Sequence, residues 1–278
     1  MKNFQNKVAA ITGAGSGIGQ QLAILLAKQG CHLSLSDVND QGLAETVEQA
    51  KQYGVRITSK HVDVANREEV YTWAEETVHN HGSVNLIFNN AGVALGSTVE
   101  GASYEELEWI VNINFWGVVY GTKAFLPHLK ASKDGHIINI SSLFGIIAQP
   151  TQSAYNATKF AVRGFTESLR QELDMQNAGV SATCVHPGGI RTNIAKAARM
   201  NGSLKSIGMD PEKSAKAFDK LLRCPPEVAA QTILNAVKAN KPRVLIGNDA
   251  KILDGLQRVL PTGYQTVSRF ASKLSSKF

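Results

Sequence analysis

Tyr155 and Lys159 stand four positions apart in a stretch with helical patterning. That spacing puts both side chains on one face, about one turn apart. A phenol ionises near pH ~10, so alone it is a poor acid or base at neutrality. An ammonium close by favours the phenolate and brings it towards the range where a proton can be handed over. Pairs of this kind are common in helices and usually carry no chemistry, so the neighbours matter. Ser142 lies thirteen residues before Tyr155, just past a strand-like run. Both groups would then emerge at the carboxyl edge of a sheet, where open α/β sheets place their ligands.

A second constellation lies near the N-terminus, in Thr12-Gly13-Ala14-Gly15-Ser16-Gly17-Ile18-Gly19. Glycines let the backbone turn tightly and approach a pyrophosphate, whose charge then sits over a helix N-terminus. The run falls between a first strand and a helix, the context such a site requires. A purely structural glycine turn is the other reading. Asp37 follows Gly19 by 18 residues, at the end of the second strand. A carboxylate there accepts hydrogen bonds from ribose hydroxyls and repels a 2′-phosphate. No Arg or Lys lies within Gly13–Gly19 or beside Asp37 to hold that phosphate. NAD is therefore expected over NADP, unless Asp37 merely opens a turn.

These groups need a frame to hold them. Strand-like runs over 7–12, 31–36, 55–63, 84–89, 136–141, 180–186 and 243–247 alternate with helical patterns over 17–29, 41–53, 68–81, 104–130, 153–176 and 227–239. Strands separated by helices of that length imply right-handed βαβ crossovers and a parallel sheet, helices on both faces. At 278 residues and 43% hydrophobic, the chain suits one large α/β domain and can bury enough apolar surface to fold. No apolar run reaches the length of a membrane span. Residues 115–125 are apolar on nearly every side of their helix. The segment must be covered twice, by its own chain or partly by another subunit.

The three cysteines, Cys31, Cys184 and Cys224, form no CxxC pair and suggest buried thiols in a reducing compartment. The seven His show no metal-ligand spacing, so no metal site is expected. Strand-like sequence begins at about Lys7 with no charged-then-apolar leader, and the expected location is the cytoplasm.

With these residues in order, the chain resembles the short-chain dehydrogenase/reductases in their single-domain form, over roughly residues 7–247. The resemblance rests on the TGAGSGIG run, Asp63, Asn89-Asn90-Ala91-Gly92, Asn114, Ser142, Tyr155-x-x-x-Lys159 and Pro187-Gly188-Gly189-Ile190-Arg191-Thr192. Each motif is weak alone and the ordered set is specific. It implies a doubly wound Rossmann fold with a seven-stranded parallel sheet carrying NAD(P) at its carboxyl edge. By resemblance, Asp63 contacts adenine and Asn90 the adenosine-side ribose. Tyr155 and Lys159 hold the nicotinamide ribose, Ile190 and Thr192 fix the carboxamide, and Val64, Ala91, Gly92, Pro187 and Gly188 complete the surface. Tyr155 is then the general acid or base, and Ser142 binds the substrate oxygen as charge develops. Lys159 tunes Tyr155, while Asn114 holds a water that links Lys159 to solvent.

Residues beside the reacting groups, Val93, Ala94, Leu95, Leu143, Phe144, Ile147 and Gln149, are expected at the substrate, together with Gly189. Nearly all are apolar, which favours a hydrophobic alcohol or ketone over a hydroxy acid or sugar. They could equally just cover the sheet edge. Residues 191–225 form a long connection read as a substrate lid, helical over 194–200, hinged at Gly202 and restarting at Asp210-Pro211. A rigid insertion is the alternative.

Residues 1–248 make up the catalytic domain on this reading, and 249–278 an extension with two amphipathic stripes. Ile252, Leu253, Leu256, Val259 and Leu260 form the first. Tyr264, Val267, Ala271, Leu274 and Phe278 form the second, beside Arg269, Lys273 and Lys277. The extension docks on its own core or a neighbouring subunit, with an anionic membrane as the other possibility.

The chain carries a net charge of +6, with Lys+Arg 29 against Asp+Glu 23. Residues 1–190 hold 13 basic and 17 acidic residues, so 191–278 hold 16 and 6. The basic excess thus belongs to the lid and extension, which suggests an anionic carrier or lipid surface at the substrate entrance. No basic helix with interleaved aromatics argues for nucleic acid. The leading expectation is an NAD-dependent oxidoreductase for a hydrophobic secondary alcohol or ketone, assembled as a homodimer or homotetramer. A 3-oxoacyl-thioester reductase is the alternative enzyme, and an NAD(H)-sensing binding protein the non-catalytic one.

Overall fold

Strands and α-helices largely alternate in the computed structural model, which describes residues 1–266, 268 and 269. The order is β1 (Val8–Thr12), α1 (Gly17–Lys28), β2 (His32–Asp37), α2 (Asp40–Lys51), β3 (Ile57–His61), α3 (Arg67–His81) and β4 (Leu86–Asn89). It continues through β5 (Leu95–Gly96), α4 (Tyr104–Val111), α5 (Gly117–Ser132), β6 (Gly135–Ile140), α6 (Ser153–Gln176), β7 (Val180–Pro187) and β8 (Arg199–Met200). The chain then forms α7 (Pro211–Leu221), α8 (Pro226–Lys238), β9 (Arg243–Ile246) and α9 (Asn248–Val259).

Seven strands form one parallel sheet in the order β3-β2-β1-β4-β6-β7-β9. The expected doubly wound, seven-stranded sheet is present. Its central strands are buried on both faces, so Val8–Thr12 and Leu86–Asn89 read as continuous apolar runs rather than alternating ones. One apolar layer packs Leu22, Leu26 and Ile233 against Ile11 and Leu33, and the other packs Trp73, Phe125 and Leu129 against Ile87 and Ile137. Strand order reverses between β1 and β4, which opens a crevice at their carboxyl ends.

Three expected elements differ. The strand over 55–63 is shorter, at Ile57–His61, because it is the sheet's outermost strand and its ends have a partner on one side alone. The helix over 104–130 is divided by a π-helical turn at Asn112–Trp116. That turn rolls Asn114 inward, where it is fully buried and bonded to Val93 on both sides: it accepts from the Val93 N–H at 2.8 Å and donates to the Val93 carbonyl at 2.9 Å. Residues 194–200 are not helical. After a turn, Arg199–Met200 pair in parallel with Leu95–Gly96, and Arg199 and Asn201 donate their N–H groups to Ala94 and Gly96. A partner strand already in place wins over a weak local helix preference. The Arg199 guanidinium also stacks over Trp109, 3.6 Å from the ring centre.

Gly202, expected as a hinge, lies in regular local structure. It opens a 3₁₀ turn, Gly202–Ile207, capped by Asn201, and the residue that takes the left-handed conformation is Gly208. Helix α7 starts where expected, with Asp210 accepting from the Lys213 N–H and Pro211 in the first turn. No α7 residue is buried.

Candidate active site

Each functional side chain is placed at the carboxyl edge by a strand end or the helix after it. Thr12 ends β1 and Asp37 ends β2. Asn90 and Ser142 follow β4 and β6 closely, and Pro187 ends β7. Tyr155 and Lys159 lie on the first turns of α6, on its inner face. Together these elements enclose a cavity of about 1380 Å³, running from Asp37 and Asp63 past Gly92 to Ser142, Tyr155 and Lys159.

The glycine run is built for close approach at the amino end of α1. A side chain on Gly19 would strike the Gly13 carbonyl and the Asn90 amide. Asp37 fixes the loop from the other side, with Oδ2 accepting from the Gly15 N–H at 2.7 Å and Oδ1 from Asn39 at 2.9 Å. Asn90 donates its side-chain amide to the Thr12 and Gly13 carbonyls at 2.9 and 3.1 Å. Its amide nitrogen thus braces β1 against β4, a structural duty beyond the ribose contact that resemblance implies.

Tyr155 and Lys159 are both buried. The Tyr155 side chain is hydrogen-bonded to Ser142, and the Lys159 Nζ donates to the Ile140 carbonyl at 3.0 Å and lies 5.7 Å from the Tyr155 ring centre. Burial pushes the phenol up to about 12, against the lowering effect of the Ser142 bond, and pulls the ammonium down to about 8. Gly92 lets the backbone pass close to Lys159 and Asn114: a Cβ there would stand a tight 3.4 Å from Nζ and 3.2 Å from the Asn114 Oδ1. Ser142 is also held from below, because the His186 Nδ1 bonds its carbonyl at 3.0 Å. A phenol, a hydroxyl beside it and a buried ammonium are the groups that proton exchange with a substrate oxygen requires.

A family model described as short chain dehydrogenase matches residues 7–202. The chain belongs to the short-chain dehydrogenase/reductases. The family is one of oxidoreductases. SadH of Mycobacterium tuberculosis (strain H37Rv), an oxidoreductase by assignment, is 50% identical over 266 residues, covering 95% of both chains. Estradiol 17-beta-dehydrogenase 11 of Homo sapiens is 31% identical over 278 residues, spanning all of this chain and 86% of that one. Among solved structures, a short-chain dehydrogenase/reductase from Burkholderia phymatum in complex with NAD superposes with a TM-score of 0.85. It is 27% identical and covers 94% of this chain and 95% of that one.

Within this dehydrogenase/reductase, the cavity is lined by Gly13, Ser16, Gly17, Ile18, Asp37, Asp63, Val64, Asn90, Ala91 and Gly92 of the expected cofactor set. Pro187, Gly188, Ile190 and Thr192 line it beyond Lys159, as do Val93, Phe144, Gln149 and Gly189 of the expected substrate set. Gly15, Gly19 and Asn114 lie behind the surface and support it. Leu95 does not line the cavity. Its backbone pairs with Arg199 and its side chain is buried in a cluster with Ile110 and Ala154.

Several contributors escaped the sequence reading. Asp249 accepts from the Gly189 N–H at 2.7 Å across sixty residues, and His186 reaches the Ser142 backbone. Neither belongs to a motif, and only the β7–β9 pairing brings Asp249 to the site. Arg223 and Lys251, from the basic part of the chain that the charge count singled out, also line the cavity and are exposed to solvent.

Proposed function

We propose that this enzyme moves a hydride between NAD(H) and a hydrophobic secondary alcohol or its ketone, with Tyr155 exchanging the proton. The observation that carries the reading is the continuity of one cavity from Asp37, past Tyr155 and Ser142, to the apolar residues Phe144, Phe218 and Leu222. A tight glycine turn at the amino end of α1, an acidic residue at the end of β2 and a cavity that continues past Gly92 all fit a dinucleotide. A nicotinamide dinucleotide held by these residues would supply the hydride chemistry. Ser142 orients the substrate oxygen and stabilises charge building on it. Tyr155 donates its proton in reduction and takes one in oxidation, and the Lys159 ammonium stabilises the phenolate. Asn114, behind Gly92 and Lys159, would hold a water that links Lys159 to solvent.

Asp37 supports NAD over NADP, because its two oxygens already hold Gly15 and Asn39 where a 2′-phosphate would need cations. Residues 191–225 act as a lid, with α7 presenting Phe218 and Leu221 to the cavity. Trp116 and Phe160 are exposed on α5's approach and α6, and suit burial against a second copy in a homodimer or homotetramer. No helix among the described residues is long and apolar enough to cross a membrane. We place the enzyme in the cytoplasm, with weak lipid-surface contact through the basic C-terminal part as a secondary feature.

One observation favours a second reading. Arg223 and Lys251 at the cavity rim suit an anionic acyl-carrier thioester. A panel of straight-chain secondary alcohols and a 3-oxoacyl thioester, each with NAD(H) and NADP(H), separates the two. Rates that climb with alcohol chain length support the first; NADPH-dependent thioester reduction alone supports the second.

A further inference from the structure

The C-terminal part of the chain packs against the loop that follows the reacting serine. Leu143, Ile146 and Ile147 form a buried cluster with Ala250 and Tyr264, and Phe144, Leu253 and Leu256 pack on it. Tyr264 is 7% exposed, so its ring is part of the interior. Its Oη accepts from the Ala148 N–H at 3.0 Å, and the Ser268 hydroxyl bonds the Gln149 side chain. Phe144 carries the connection to the chemistry, its ring lying edge-on to Tyr155 with centres 6.1 Å apart. Leu253, Leu256 and Tyr264 all line the same cavity as Tyr155 and Ser142.

We propose that Leu253, Leu256 and Tyr264 form the far wall of the substrate cavity and set how much apolar substrate it accepts. The inference rests on the reading that the space beyond Tyr155 takes an apolar substrate. It adds where that space ends and which residues end it. Leu253 and Leu256 face inward from α9 while Ile252 and Val259 on the same helix face solvent, so the helix is oriented with one apolar edge committed to the cavity. Tyr264 closes the corner, and its bond to Ala148 ties the wall to the serine loop. A change in the wall therefore alters the room available to the substrate's distal end, and reaches the cofactor end indirectly, through the loop or through Asp249 on the same helix.

The test uses the full chain with Leu256→Trp, Leu256→Ala and Tyr264→Phe. Turnover of secondary alcohols of increasing chain length is measured with NAD, NAD binding by fluorescence titration, and apolar capacity by binding of anilinonaphthalene sulfonate. Leu256→Trp is expected to cut kcat/KM for the longest alcohol about tenfold and leave the shortest within about twofold. It should weaken the dye by a similar factor and leave NAD affinity unchanged. Leu256→Ala should move the preferred length upward. Tyr264→Phe keeps the ring and so should keep the length preference. An equal fall at every chain length, or unchanged dye affinity in Leu256→Trp, overturns the wall. If the wild type turns over no alcohol while the dye effect persists, the wall stands and the substrate reading fails.

Discussion

The Lys159 ammonium stands 5.7 Å from the centre of the Tyr155 ring, and both residues are buried at the wall of the cavity. Burial alone works against the phenolate, pushing Tyr155 up to about 12, so the charge beside it must offset that cost. Lys159 is fastened by the Ile140 carbonyl, which holds it near the ring.

Lys159→Met removes that charge while keeping the side chain's length. The Tyr155 proton is then held more tightly, and alcohol oxidation should fall about a hundredfold at neutral pH. The rise of kcat with pH should move to higher pH. A pH–rate profile with the wild-type midpoint would refute the assigned role.

Asp37→Ala takes away the acceptor for Gly15 and Asn39 and the charge that opposes a 2′-phosphate. The ratio of kcat/KM with NAD to that with NADP should drop at least about tenfold. The same steady-state assay with both cofactors decides it, and an unchanged ratio removes Asp37 from cofactor selection.

Gly19→Ala drives a methyl group into the Gly13 carbonyl and the Asn90 amide. The loop must shift, costing about 1–3 kcal/mol of stability and most of the dinucleotide affinity. Thermal melts with and without NAD measure both losses.

Two imidazoles make the fold sensitive to acid. Burial holds His136 down at about 3 and His186 at about 4. Between the ordinary histidine value near ~6.5 and those values, the unfolded chain binds protons that the folded chain refuses. Stability is therefore complete above about pH 6.5 and falls as the pH drops, by up to about 1.4 kcal/mol per pH unit for each group. Urea titrations at several pH values should show this slope, and His136→Gln should reduce it by close to one proton. An unchanged slope in that variant would mean that His136 is not held neutral.

The sheet and its edge were legible in the sequence because they depend on local patterns: apolar runs for buried strands, glycines for the turn after β1, and Tyr155 and Lys159 one helical turn apart. The 191–225 connection was not legible in the same way. The 194–200 segment has helical spacing, yet Ala94 and Gly96 offer it carbonyl partners. That same pairing takes Leu95 away from the substrate. Asp249, His186 and Tyr264 act through contacts spanning 44 to 116 residues, with no motif to mark them. The second stripe also extends to Val267, Ala271, Leu274 and Phe278, with Lys273 and Lys277, and these lie outside the described residues.

The central claim is that Tyr155 moves the proton during hydride transfer, and Tyr155→Phe tests it most directly. The ring, its packing against Phe144 and the cofactor surface are kept, and a single hydroxyl is lost. Secondary-alcohol oxidation, followed by absorbance of the reduced cofactor, should fall by about a thousandfold or more while NAD affinity stays within about threefold. Turnover near the wild-type level with NAD bound would contradict the account.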